Sequence, residues 1–168
     1  LDELKLRVKA NERIFKENIL KRFESYKQMG DKTFVQLKET DFFFLPSMDN
    51  NTIAINIQHM HGNMMSRFTN FLSEDGEKKW RERDAEFEQQ NLRMNDLLAL
   101  WNEGWACVFK AIIALQEKDF SATIYIRNEP LSVCDALLRQ LGHYAYHVGQ
   151  IVLIAKMIRG VEWKTLSI

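Results

Sequence analysis

The sequence predicts an all-α fold, a single four-helix-bundle domain over residues 1–168, with a long connection between helices two and three. Three observations predict it. Four segments repeat apolar residues at three- and four-residue steps, the period of a helix that buries one face. The only two prolines, Pro46 and Pro130, stand at segment boundaries. No internal repeat, low-complexity tract or linker divides the chain, and 168 residues suffice to bury one core.

Helix one is expected from Leu1 to about Met29. Val8, Ile14, Phe15, Ile19, Leu20, Phe23 and Tyr26 form its apolar stripe, and Gly30-Asp31 is a candidate end or kink. Thr33 to Leu37 extends it by a turn or two in one reading. The aromatic run from Asp41 to Leu45 then reads as a wedge in a connection that stops at Pro46. Asp49-Asn50-Asn51-Thr52 is rich in helix caps, so helix two is placed from about Thr52 to Leu72, with Ile53, Ile57, Met60, Met64, Phe68 and Phe71 inward. The charged stretch from Ser73 to about Gln90 reads as a solvated connection pinned by Trp80 and Phe87. Its length lets the chain cross the end of a bundle. Helix three, about Asn95 to Glu117, is apolar over a wide arc that includes Trp101 and Trp105. Phe120 to Arg127 alternates and carries β-branched residues, the pattern of a short extended segment. Pro130 is then placed at the start of helix four, which ends near Gly160, and a tail with Trp163 folds back.

Composition narrows the function classes. Twenty-three Lys and Arg balance twenty-three Asp and Glu, which disfavours a nucleic-acid binder that relies on a basic face. The two cysteines, Cys107 and Cys134, are far apart in apolar helical contexts. They are expected as buried thiols in a reducing, cytoplasmic compartment. No segment reads as a signal peptide or a membrane span.

The chemistry concentrates in the four histidines, two in helix two and two in helix four. His143 and His147 are four apart and stack on one helix face, where two imidazoles can grip one ion. His59 borders the core stripe of helix two, whereas His61 lies about 200° away at 100° per residue, so one ion cannot bind both. The expected ligands are therefore His59, His143 and His147, with a fourth position open to water. His61 is left as an exposed or dimer-contact residue. Asn63 and Gln150 are placed to orient the rings. Arg67 and Arg139 are placed near the mouth, to receive an anionic substrate group or to form surface ion pairs. A carboxylate di-iron site is disfavoured, because no Glu precedes these histidines by three.

The segment His143-Tyr-Ala-Tyr-His147-Val-Gly-Gln150-Ile151 resembles the fourth-helix signature of the DinB/YfiT-like superfamily. The stretches Gln58-His59-Met-His-Gly62-Asn63-Met-Met-Ser-Arg67 and Asp75 to Phe87, with Val161 to Ser167, are similar to a bacterial branch of it carried as a domain of unknown function. The resemblance implies a four-helix bundle, frequently a homodimer, with a nickel or zinc site. Iron is a further candidate. It maps the ligands onto His59, His143 and His147. Many relatives carry Arg where this chain has Val148, so the role of that Arg is not carried over.

Two functions compete at this level. The first is a metal-dependent enzyme of S-transferase or hydrolase type acting on a small molecule, a thiol among the candidates. The second is a non-catalytic, dimeric binding or stress-response protein with a structural or vestigial histidine cluster. Neither nucleic acid nor a membrane is an expected partner.

Overall fold

The structure is a computed structural model. It describes residues 2–48 and 50–166, with side chains from residue 11 onward. Leu1, Asp49, the side chain of Val8 and Ser167, all used in the expectations above, lie outside the described residues. The described chain is mostly helical: α1 (Asp2–Phe34), α2 (Ile53–Phe68), α3 (Met94–Ala114) and α4 (Val133–Arg159), with β1 (Thr123–Ile126) and β2 (Glu129–Ser132) between α3 and α4. Short 3-10 turns occupy Glu39–Phe43, Asp84–Phe87, Glu117–Asp119 and Gly160–Glu162. The fold is therefore not purely all-α, because the extended segment pairs with the residues after it.

Helix α1 continues through Gly30 instead of stopping there. The Trp101 indole lies so close over Gly30 that a Cβ would collide with it, and its Nε1 donates to Asp31 Oδ1 at 2.8 Å. Gly30-Asp31 is thus a docking point for α3. Thr52 caps α2, its Oγ1 accepting from the Ile55 amide at 3.1 Å. That helix ends at Phe68, earlier than periodicity suggested, and Asn70 with φ 50° turns the chain. Of the aromatic run, only Phe42 is fully buried, against Phe34 at 5.4 Å, while Phe44 and Leu45 are exposed.

β1 and β2 form an antiparallel hairpin in which Ile126 pairs with Glu129. The two residues between them, Arg127 and Asn128, both have positive φ, the requirement of a tight primed turn. With no glycine to relieve that conformation, Asp75 clamps it. Its carboxylate accepts from the Arg127 and Asn128 amides at 2.9 and 2.8 Å. Pro130 sits in β2, not in the first turn of α4; Ser132 caps that helix, its Oγ accepting from the Asp135 amide at 3.1 Å. A two-stranded edge tolerates the missing proline N–H, which is why the proline signal misplaced the helix start.

The helices pack side by side, α1 on α4, α4 on α2, α2 on α3 and α3 on α1. Phe23 of α1, Trp105 of α3 and Tyr144 of α4 form a buried triangle with ring centroids 5.6–6.1 Å apart. Aromatic pairs at such spacing each add roughly 0.5–1.5 kcal/mol beyond burial. This triangle fixes the rotation of α4, and with it the direction of the histidines on either side of Tyr144. By length and hydropathy alone α3 resembles a membrane-crossing helix. Its Leu97, Trp101, Trp105, Val108 and Ile112 nevertheless belong to the buried core.

Candidate metal centre

Three histidines from two helices meet between α2 and α4. His59 of α2 and His147 of α4 are buried, and His143 is half-buried. The Nε2 atom of His143 lies 3.0 Å from that of His147 and 3.3 Å from that of His59. One nitrogen from each ring lies within 4.8 Å of the others. A tetrahedral ion with bonds of about 2.0–2.1 Å separates its ligand atoms by roughly 3.3–3.4 Å, so the spacing fits a small cation. His61 points elsewhere, and its Nε2 lies 3.0 Å from Glu103 Oε2.

Hydrogen bonds on the far side of two rings settle which nitrogens carry lone pairs. His59 Nδ1 lies 2.9 Å from Glu86 Oε2. An ionised carboxylate only accepts, so Nδ1 carries the proton. His147 Nδ1 lies 2.9 Å from Asn56 Oδ1. The Asn56 amide cannot turn round, because its Nδ2 donates to the Thr52 carbonyl at 2.9 Å; His147 is therefore also protonated at Nδ1. Both Nε2 atoms then point unprotonated lone pairs at the shared space, the tautomer of a metal ligand. A neutral His143 can donate its own Nε2 proton to only one of them. A cation at the centre satisfies all three.

Asn63 and Gln150 stand near the centre in other roles. Asn63 Oδ1 accepts from the Tyr144 hydroxyl at 3.0 Å, which ties α2 to α4. Gln150 stands against His147, and its side chain favours the charged form of that ring. The groups that bond the far nitrogens of the rings are Glu86 and Asn56.

Glu86 comes from the charged connection, which is solvated at Lys79, Glu82 and Glu88 but buries Gly76, Lys78 and Glu86. The Arg81 side chain is only 2% exposed and grips Glu86 through Nε and Nη2 at 2.7 and 2.8 Å. Ser66 Oγ and Arg67 Nη1 both donate to the Gly76 carbonyl, and Gln58 Nε2 donates to the Glu88 carbonyl at 3.0 Å. Phe87 stacks on His59 with centroids 4.6 Å apart, while Trp80 is exposed. Burial alone would raise the Glu86 carboxyl, but Arg81 and His59 outweigh it and hold it below the usual range. Burial also acts against the Arg81 charge, and Glu86 overcomes it and raises that group. The Glu86 carboxylate lies directly over Gly62, where a Cβ would collide with it. Gly62→Ala is therefore expected to push Glu86 off His59 and weaken metal affinity about 10–100-fold. Competition against a chelator measures this, and unchanged affinity contradicts it.

Beside the histidines opens a pocket of about 210 Å³ lined by Arg67, Arg81, Arg83, Arg127, Arg139 and Gln140, with His59, Asn63 and His143. Arg67 is buried and bonds Glu77 Oε2 at 2.9 Å. Burial lowers its pKa, an effect that Glu77 only partly offsets. Arg139 is exposed at the rim. The two arginines expected at the mouth thus line the same cavity, one as floor and one as rim.

Burial, then the His147 and His59 rings and the nearby arginines, push the His143 pKa down to about 3. Burial and His59 push His147 down to about 4. In the unfolded chain both take up a proton near about 6.5. Below that pH the unfolded state binds more protons than the folded one, so metal-free protein loses stability as pH falls from about 6.5. The loss levels off below the folded values. Urea midpoints between about pH 6.5 and 4.5, above the carboxylate range, are expected to fall in the wild type and to stay flatter in a His143→Ala/His147→Ala variant. Equal slopes contradict the assignment.

Periodicity found the histidines because helical spacing places them. It missed Glu86, Asn56 and Arg81. Asn56 was legible in one respect: it lies three residues before His59 on a helix, where the two share a face. Nothing local marks Glu86 or Arg81. Cys107 and Cys134 are free thiols, half-buried where burial was expected, and burial raises the pKa of each.

No curated protein and no solved structure is significantly similar to this chain. A family model described as a protein of unknown function (DUF1572) matches residues 11–168, so the chain belongs to that family.

Proposed function

We propose that this protein is a metal-dependent enzyme of the DinB/YfiT-like kind, a helical bundle whose three histidines hold nickel or zinc for hydrolysis or S-transfer on a small molecule. One observation carries the proposal. Two Nε2 atoms, left as the lone-pair nitrogens in the neutral tautomers that Glu86 and Asn56 select, converge with His143 at ligand spacing next to an open, cationic pocket. When bound, a divalent ion lowers the pKa of a coordinated water or thiol and so supplies a nucleophile at neutral pH. The chain does the positioning. Glu86, held by Arg81, keeps the His59 ring in one tautomer and orientation. Asn56 does the same for His147, and the arginines bind and orient an anionic substrate group.

A homodimer is part of the proposal. Tyr146, Leu153 and Met157 are exposed within about 40° of one another around α4 at 100° per residue, and Leu138 extends that face. The free thiols of Cys107 and Cys134 accord with a reducing, cytoplasmic setting.

Elemental analysis of protein purified without a histidine tag or chelator tests the centre. About one nickel, zinc or iron per chain is expected, and screens of thiol transfer and of ester and amide hydrolysis follow from it. No metal, together with no thermal shift on adding zinc or nickel, overturns the enzyme and leaves a binding protein.

A further inference from the structure

We propose that the arginine-lined pocket is a phosphate subsite, built for a tetrahedral dianionic oxyanion: the head of a phosphate monoester or free inorganic phosphate. The inference deepens the proposed function by naming the group this site receives, and it rests on that reading only for the place of that group beside the metal.

Five guanidinium groups line the cavity, and no carboxylate does. The balancing charges sit elsewhere. Glu77 is shared by Arg67, Arg81 and Arg127, Glu86 serves Arg81, and Asp84 lies 3.5 Å from Arg83 at the surface. Asp75 is used by the hairpin amides. Arg139 makes no ion pair or hydrogen bond among the described residues. Each guanidinium has five N–H donors, so these contacts leave donors unused along the wall.

The arginines arrive from four places: α2, the connection, the hairpin turn and α4. A carboxylate accepts a guanidinium fork in one plane. A phosphate presents three outer oxygens and about −1.5 to −2 charge, and it accepts from several directions at once. Gln140 adds a second sign of a missing ligand. Its side chain lines the pocket at 3% exposure, and its amide oxygen has no partner. Amide oxygen and nitrogen are nearly isosteric, so this group offers an acceptor to a phosphate hydroxyl or a donor to a phosphate oxygen. At about 210 Å³, the cavity is below the roughly 300–1,000 Å³ of pockets for drug-sized ligands. It fits a head group, with the rest of a monoester leaving past the exposed Arg83, Arg127 and Arg139.

Calorimetric titration of chelator-treated, full-chain protein with inorganic phosphate at constant ionic strength tests the inference. Chloride, malonate and glycerol phosphate serve as comparison probes. One saturable site is expected. It persists in His147→Ala, because His147 does not line the pocket. Affinity falls about 10–100-fold in Arg139→Gln, the loss of one hydrogen bond between charged groups, and the melting temperature of that ligand-free variant is unchanged. Glycerol phosphate binding as well as inorganic phosphate marks a monoester head, and preference for the inorganic ion marks free phosphate; either supports the subsite. An equal response to chloride, tighter binding of malonate, or undiminished phosphate binding in Arg139→Gln overturns it. Phosphate binding without stoichiometric metal in the wild type sinks the metal reading alone, and metal without phosphate binding sinks this inference alone.

Discussion

His147→Ala is expected to lose metal binding altogether while keeping the helical fold. With His147 gone, two imidazoles remain, and His59 and His143 alone form an incomplete set for a site with three protein ligands. Metal content is expected to fall from about one ion per chain to background. In the wild type, an ion at a hundred times its Kd stabilises the fold by about 2.7 kcal/mol, and this thermal shift disappears in the variant. The structural cost is separate. Asn56 Oδ1 is buried and loses the donor 2.9 Å away, a penalty of about 1–3 kcal/mol. Helical circular dichroism is therefore retained, with a lowered melting temperature. Stoichiometric metal in a folded His147→Ala protein rules out this centre.

Glu86→Ala is expected to destabilise the fold more than any single histidine change. It strands the Arg81 guanidinium, whose side chain is 2% exposed and whose remaining carboxylate contact is Glu77 Oε1 at 3.4 Å. It also removes the acceptor for His59 Nδ1. Breaking a buried pair from one side costs about 3–5 kcal/mol, and losing the ring's orienting partner weakens metal affinity about 10–100-fold. The two effects separate in Arg81→Met/Glu86→Leu. With both charges removed, much of the stability returns, but the affinity does not, because His59 still lacks its carboxylate. Denaturant midpoints and chelator competition on the three proteins check this. Recovery of affinity in the double variant would show that Glu86 matters for packing and not for the ring.

Gly62 and Asn56 show how local and tertiary information divide in this chain. Both lie three residues from His59 on α2, so the sequence places them near its face. Neither shows its role locally. Gly62 matters because the Glu86 carboxylate lies over it, and Asn56 because His147, 91 residues away, reaches its oxygen. Helix boundaries erred for similar reasons. Gly30 reads as a stop until Trp101 is seen lying on it, and Pro130 reads as a helix start until β2 is seen to hold it.

What the sequence by itself determined is periodic. The 3.6-residue repeat specified four helices, the buried stripe of α2 and the two helices that carry histidines, while in α1 it took in Ile14, which is exposed. The four-residue step placed His143 and His147 on one side, and the 200° turn separated His59 from His61. The tertiary structure decided everything that depends on the non-periodic connection. Its alternating charges look like solvated surface, since like and unlike charges in a row carry no facing information. In the fold some of them are buried by pairing, Arg81 with Glu86 and Glu77 with Arg67, while the Gly76 carbonyl takes Ser66 and Arg67 and Lys79, Glu82 and Glu88 stay exposed. A buried charge is stable only where its partner meets it, and these partners are brought together by the docking of that segment on α2 and the hairpin. The His59 tautomer and the cationic pocket follow from that docking, and the His147 tautomer from the meeting of α2 and α4; no local pattern shows any of them.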